Sequence, residues 1–152
     1  MKLPKVRGSN LARQKMVFPE DFAGERNLVF IAFLRQHQDD IDAWVPFVEK
    51  LAQEYPTLSY YEFPTLPDKG FIYRTFLNEG MRAGIPDEAT RARTVTLYLD
   101  KRTFKEALGI ESEQLIKVYL FDKSGDVLWL TEGRITEEKS QALQEVLRQS
   151  GD

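Results

Sequence analysis

The segment Asn27-Leu28-Val29-Phe30-Ile31-Ala32-Phe33-Leu34 is almost continuously apolar and rich in β-forming residues. A run of this kind suits a central strand buried on both faces. A polar break, Arg35-Gln36-His37-Gln38, follows it, and then the period changes. Ile41, Trp44, Val45, Val48, Leu51, Ala52 and Tyr55 recur at helical spacing and form one apolar stripe. Asp39 and Asp40 precede the stripe, where acids oppose the positive end of a helix dipole. Pro46 falls inside this helix, at a cost of about 3 kcal/mol and with a bend that the fold must accommodate.

The same reading predicts strands at 15–18, 58–63 and 94–99, a loop at 64–70, and a helix from 71 to about 81 with Phe71, Ile72, Phe76 and Leu77 inward. Ala83-Gly84-Ile85-Pro86-Asp87 breaks that helix. A short helix over 102–108 ends at Gly109, a natural C-cap. Two strands, 116–121 and 127–130, flank the turn Asp122-Lys123-Ser124-Gly125-Asp126, a tight hairpin signal. The last helix starts at Thr136 as N-cap and carries Ala142, Leu143, Val146 and Leu147. Residues 1–14, basic and containing Gly and Asn, read as a loose lead-in, and 15–152 as a single domain. The order β(β)αβαβαββα predicts an α/β fold in which the alternating part pairs in parallel.

Several local strings resemble thioredoxin-like proteins of the redoxin type, which have a strand ending in Phe, a linker, CxxC at a helix start and a proline inside that helix. Phe33-Leu34-Arg35-Gln36-His37-Gln38-Asp39-Asp40-Ile41 with Pro46 is similar to this arrangement. So are Asp100 followed by Phe104-Lys105-Glu106-Ala107-Leu108-Gly109-Ile110, the hairpin Tyr119-Leu120-Phe121-Asp122-Lys123-Ser124-Gly125, and Gly133 before the last helix. The resemblance implies a three-layer α/β/α sandwich with a mixed central sheet, a C-terminal β-hairpin and a helix. It puts His37 where the family has Trp, Gln38 and Ile41 where it has the two cysteines, and Ile116 where it has a cis-proline. The stretch from Ile116 to Leu147 is most similar to the mitochondrial ATP synthase assembly-factor family.

Composition sharpens this picture on one point. The chain of 152 residues contains no cysteine. Disulfides, Cys-ligated zinc, iron–sulfur clusters and thiolate chemistry are therefore excluded. A hydrophobic share of 42% suffices for one core, and a net charge of -3 gives no reason to expect nucleic acid or a membrane surface as partner. No apolar run reaches the roughly 18–20 residues that span a bilayer. The first eight residues lack the apolar region of a secretory signal, so a cytoplasmic location is the expectation.

His37, the single histidine, reads as a solvent-facing loop residue, with a general-base role at the helix start as the alternative. Asp39, Asp40 and Asp42 read as helix N-terminal charges rather than paired catalytic carboxylates. Arg74, Arg82, Arg91 and Arg93, around two glycines and a proline, form a candidate anion-binding loop whose plainer reading is exposed ion pairing. Trp44 and Trp129 fall on apolar faces and read as core. No P-loop, dinucleotide fingerprint, nucleophile elbow or zinc pattern occurs, and no cofactor is expected. The expectation is a redox-inactive module that binds a protein partner at His37, Gln38, Ile41 and Ile116, with an assembly or chaperone-like role. The alternative is a non-thiol enzyme or small-anion binder using His37 and Asp39, or Arg82 and Arg93.

Overall fold

The computed structural model describes residues 1–65 and 92–149. The predicted helix at 71–81, its break at 83–87 and most of the loop before it lie outside the described residues. The central element is β3 (Arg26–Ala32), in which every residue is buried. It pairs in parallel with β4 (Leu58–Pro64) and antiparallel with β6 (Lys117–Asp122), which in turn pairs antiparallel with β7 (Val127–Glu132). The sheet order is therefore β4-β3-β6-β7, a mixed four-stranded sheet.

Alternation along β3 explains why it must be buried on both sides. Leu28 and Phe30 face one way, toward α1 (His37–Glu54) and α3 (Glu137–Gln149), where they pack with Ile41, Trp44, Val48, Leu51, Leu143 and Leu147. Val29 and Ile31 face the other way, into a cluster with Phe18, Phe22, Phe63, Val95, Leu97, Phe104 and Phe121. That second layer is built by a three-stranded sheet of order β2-β1-β5 and by α2 (Lys101–Leu108), where β1 is Val6–Asn10, β2 Lys15–Phe18 and β5 Val95–Tyr98. Each fully buried Leu, Ile or Phe contributes about 1.5–3 kcal/mol of transfer free energy, so both layers are needed to hold the sheet. Buried Arg26 donates from Nη1 to the Leu147 carbonyl at 2.8 Å, a cation at the C-terminal end of α3 where the helix dipole favours it.

Two expectations need correcting. The N-terminal segment is not a loose lead-in, because β1 is the middle strand of its sheet, with Val6 paired to Phe18 and Gly8 to Leu97. Its inward positions are Val6, Gly8 and Asn10, and with one apolar side chain among the three the strand leaves almost no hydrophobic signature. Buried Asn10 is satisfied throughout: Nδ2 donates to Gln14 Oε1 (2.8 Å) and to the Ala92 carbonyl (3.2 Å), and Oδ1 accepts from the amides of Ala12 and Gln14. Second, β5 does not take its main pairing in parallel. It lies antiparallel to β1 and meets β4 at one parallel bridge, Glu62 to Thr94.

The ends of the elements follow their sequence signals. Asp100 caps α2 by accepting from the amides of Arg102 (3.0 Å) and Thr103 (3.4 Å), and Gly109 closes it in the left-handed region at φ 66°. Asp122 Oδ1 accepts from the amides of Ser124 and Asp126, both at 2.9 Å, and organises the hairpin turn in which Gly125 has φ 92°. Thr136 Oγ1 accepts the Lys139 amide at 3.2 Å as the N-cap of α3. Among the described residues, no helix is long and apolar enough to cross a membrane.

Candidate functional site

The end of β3 and the start of α1 meet the loop before β6 at one end of the sheet, over its two central strands. His37 opens α1 and is buried, with 2% of its surface exposed, contrary to the expected solvent-facing loop residue. Its Nδ1 accepts the backbone amides of Phe33 (3.0 Å) and Leu34 (3.2 Å). With Nδ1 accepting, the ring proton sits on Nε2, which donates to the Gln114 carbonyl at 3.0 Å. Both nitrogens are thus committed to main-chain groups, and neither is left to take a proton from a substrate. The residue is polar in sequence yet belongs to the core because three backbone groups complete it.

Ile41 and Ile116 are fully buried in the layer beneath α1, and the Ile116 carbonyl accepts the Gly133 amide at 2.9 Å. They do not present side chains to a partner, which corrects the expectation that they line a recognition surface. Trp44 closes the same region from below: its Nε1 donates to the Gly133 carbonyl at 2.9 Å, and its ring is wholly buried. Trp129 is partly buried against this layer. Both tryptophans therefore pack as expected.

Gln38 is half-exposed and links two carboxylates, its Nε2 donating to Asp42 Oδ1 at 2.9 Å and to Glu62 Oε1 at 3.1 Å. Burial pushes the Glu62 carboxyl above its ordinary range, and the Asp42 charge adds to this; the Gln38 hydrogen bond and the Arg93 charge act in the opposite direction. Two residues back on the same face of β4, burial pushes the Tyr60 phenol up to about 12. Tyr60 donates to Glu49 Oε1 at 3.2 Å and accepts from Arg93, whose guanidinium also lies over the Tyr60 ring, 4.2 Å from its centroid.

Of the four arginines of the expected anion loop, Arg93 is thus engaged by Tyr60, while Arg74, Arg82 and Arg91 lie outside the described residues. Asp39 is exposed, and Asp40 pairs with Arg134 at 3.4 Å, in keeping with helix N-terminal charges. Glu62 and Tyr60 were missed in the sequence; the signal was a glutamate, the one charged residue, inside the strand run Leu58-Ser59-Tyr60-Tyr61-Glu62-Phe63. Leu115 was missed as well. It stands between two clamped neighbours, Gln114 and Ile116, and keeps 41% of its surface exposed. A shallow groove of about 480 Å³ along α2 holds Lys101 and Lys105, but Glu113 binds both, at 2.6 and 2.9 Å. Among the described residues, no three His, Asp or Glu side chains are grouped to hold a metal ion.

No protein-family model matches the chain, and no curated protein sequence does. Solved structures do. A thiol:disulfide interchange protein from Bacteroides sp. superposes with a TM-score of 0.67 at 12% identity, covering 99% of this chain and 91% of that one. The fold is thioredoxin-like. The exposed lipoprotein thioredoxin of Streptococcus pneumoniae is similar at TM-score 0.61 and 12% identity, covering 95% of this chain and 99% of that one. Arabidopsis thaliana ScoI, solved with copper bound, is similar at TM-score 0.63 and 9% identity, covering 98% and 99%. Identities this low show the fold alone. Within this thioredoxin-like frame the chain has no thiolate to offer, since it contains no cysteine. The positions that the resemblance gives to the redox centre hold Gln38 and the buried Ile41.

Proposed function

We propose that this cysteine-free thioredoxin-like module works by binding a protein segment at the rim of its former redox centre, in a chaperone-like or assembly role. One observation carries the reading. His37, Ile41 and Ile116 are buried, while Gln38, next to His37 in the chain, and Leu115, next to Ile116, keep part of their surface exposed. The loop carrying Leu115 is fixed on both sides, by His37 on the Gln114 carbonyl and by Gly133 on the Ile116 carbonyl. A rim held in advance loses little conformational freedom on binding, which favours recognition of an extended segment. The amide of Gln38 and the side chain of Leu115 supply one polar and one apolar contact. The likeness of 116–147 to the ATP synthase assembly-factor family supports a membrane-complex subunit as the class of partner.

The test is co-purification from the native host with Gln38→Arg, against Glu138→Lys on the exposed face of α3 as control. The reading expects a discrete protein to be retained by the wild type and the control and lost with Gln38→Arg, at unchanged melting temperature. The same set of proteins with all three chains would contradict it.

A further inference from the structure

Leu115 and Lys139 meet over a residue that has no side chain. A Cβ on Gly133 would stand 3.7 Å from Leu115 Cδ1 and 3.3 Å from Lys139 Nζ, which puts those two groups within about 7 Å of each other. Gly133 is held on both sides. Its amide donates to the Ile116 carbonyl at 2.9 Å, and its carbonyl accepts the Trp44 Nε1 proton at 2.9 Å. Its φ of 81° lies in the left-handed region that favours glycine. The leucine and the lysine therefore sit side by side on a fixed piece of backbone.

Each of the two has binding capacity that the fold leaves unused. Leu115 is an exposed apolar side chain on an anchored loop. Lys139 lies in the first turn of α3, where the helix dipole disfavours a cation. Its Nζ donates to the Arg134 carbonyl at 2.9 Å, and among the described residues no carboxylate pairs with it. An ammonium group has three protons to donate, so two remain. The lysines on the other side of this loop differ in that respect. Lys101 and Lys105 share Glu113, and Lys117 is bound by Glu132.

We infer that the segment received at the rim carries an acidic residue two positions from an apolar one, with the apolar side chain on Leu115 and the carboxylate on Lys139. The inference rests on the proposed function and names the chemistry of the bound segment. In an extended chain, residues two apart point to the same face and lie about 6.6–6.8 Å apart, which matches the spacing of Leu115 and Lys139. Adjacent residues point to opposite faces, and residues four apart are separated by about 13 Å, so neither reaches both groups. Charge complementarity selects the acidic residue. A carboxylate there meets a cation that lacks a counter-charge, whereas a lysine or arginine would face a like charge.

The test uses three pools of short peptides, random apart from a central Leu-x-Glu, Leu-x-Gln or Leu-x-Lys, passed over the immobilised chain. The wild type is expected to retain the Leu-x-Glu pool about fivefold better than the Leu-x-Lys pool, with Leu-x-Gln between them. Lys139→Glu should reverse this order and Lys139→Arg should keep it. Lys50→Glu, the same change of charge at an exposed position of α1, should leave it unaltered. Equal retention of the three pools by the wild type, or a folded Lys139→Glu chain that keeps the wild-type order, would overturn the inference. If the peptides so retained are lost with Leu115→Ser, the rim reading stands without it. Retention of no pool above the level of Leu115→Ser would overturn the rim reading and the inference together.

Discussion

The Nε2 proton of His37 is donated to the carbonyl of Gln114 at 3.0 Å, joining the first residue of α1 to the loop before β6 across 77 positions of sequence. On its other side the same ring accepts two amides from the end of β3. Removing the ring leaves buried amides without partners, each worth about 1–3 kcal/mol. His37→Ala is therefore expected to lower unfolding stability by about 3 kcal/mol, measured by urea denaturation. A loss below about 0.5 kcal/mol would mean that the histidine behaves as an ordinary surface residue.

Glu62 gives a pH dependence with a definite sign. Burial holds its folded carboxyl above the value of about 4.3 that it has in an unfolded chain. The native state therefore keeps this proton after the unfolded state has released it. The stability it contributes is complete below about pH 4 and declines as pH rises through the folded value. Glu62→Gln removes the titration while keeping the size of the side chain. The stability of Glu62→Gln relative to wild type is expected to increase from pH 4 toward neutrality and then level off. A difference that stays flat or falls across that range would refute the assignment.

β1 is tested at Gly8. A Cβ there would lie inside van der Waals contact of the Thr96 carbonyl oxygen, a backbone atom that cannot turn aside. Gly8→Ala should push β1 off β5 and cost about 1–3 kcal/mol, as overpacking does elsewhere. If residues 1–14 were a loose lead-in, the same substitution would leave the melting temperature unchanged.

Much of the frame was readable from hydrophobic periodicity. The apolar run of β3, the stripe of α1, the hairpin around Asp122 and the cap at Thr136 each carry their own local signal, and each element forms where that signal stands. β1 was hidden because Gly8 and Asn10 occupy inward positions through close backbone approach and hydrogen bonding, which leave no apolar pattern. The candidate site was less legible for the same kind of reason. His37 is polar in composition and buried in fact, because its partners are main-chain groups that no side-chain pattern reveals. Glu62 is the one charged residue of the strand predicted at 58–63, and its meeting with Gln38 depends on the parallel pairing of β3 with β4.

Ile41 and Gln38 should respond oppositely to the same change. Ile41→Arg puts an unpaired charge into a wholly buried position and is expected to cost on the order of 4–5 kcal/mol, enough to unfold a marginal domain. Gln38→Arg sits beside Asp42 and Glu62 at a half-exposed position and should fold normally. Thermal melts of the two variants side by side check this. Equal stability would mean that Ile41 is as accessible as Gln38.

The most direct measurement of the central claim places a photo-crosslinking amino acid at position 115 in the native host, with position 138 as the distant control. Position 115 is expected to yield one discrete crosslinked protein and position 138 none, and Gln38→Arg is expected to abolish the crosslink without lowering the melting temperature. Identical patterns from both positions, or a crosslink at 115 indifferent to Gln38→Arg, would contradict it.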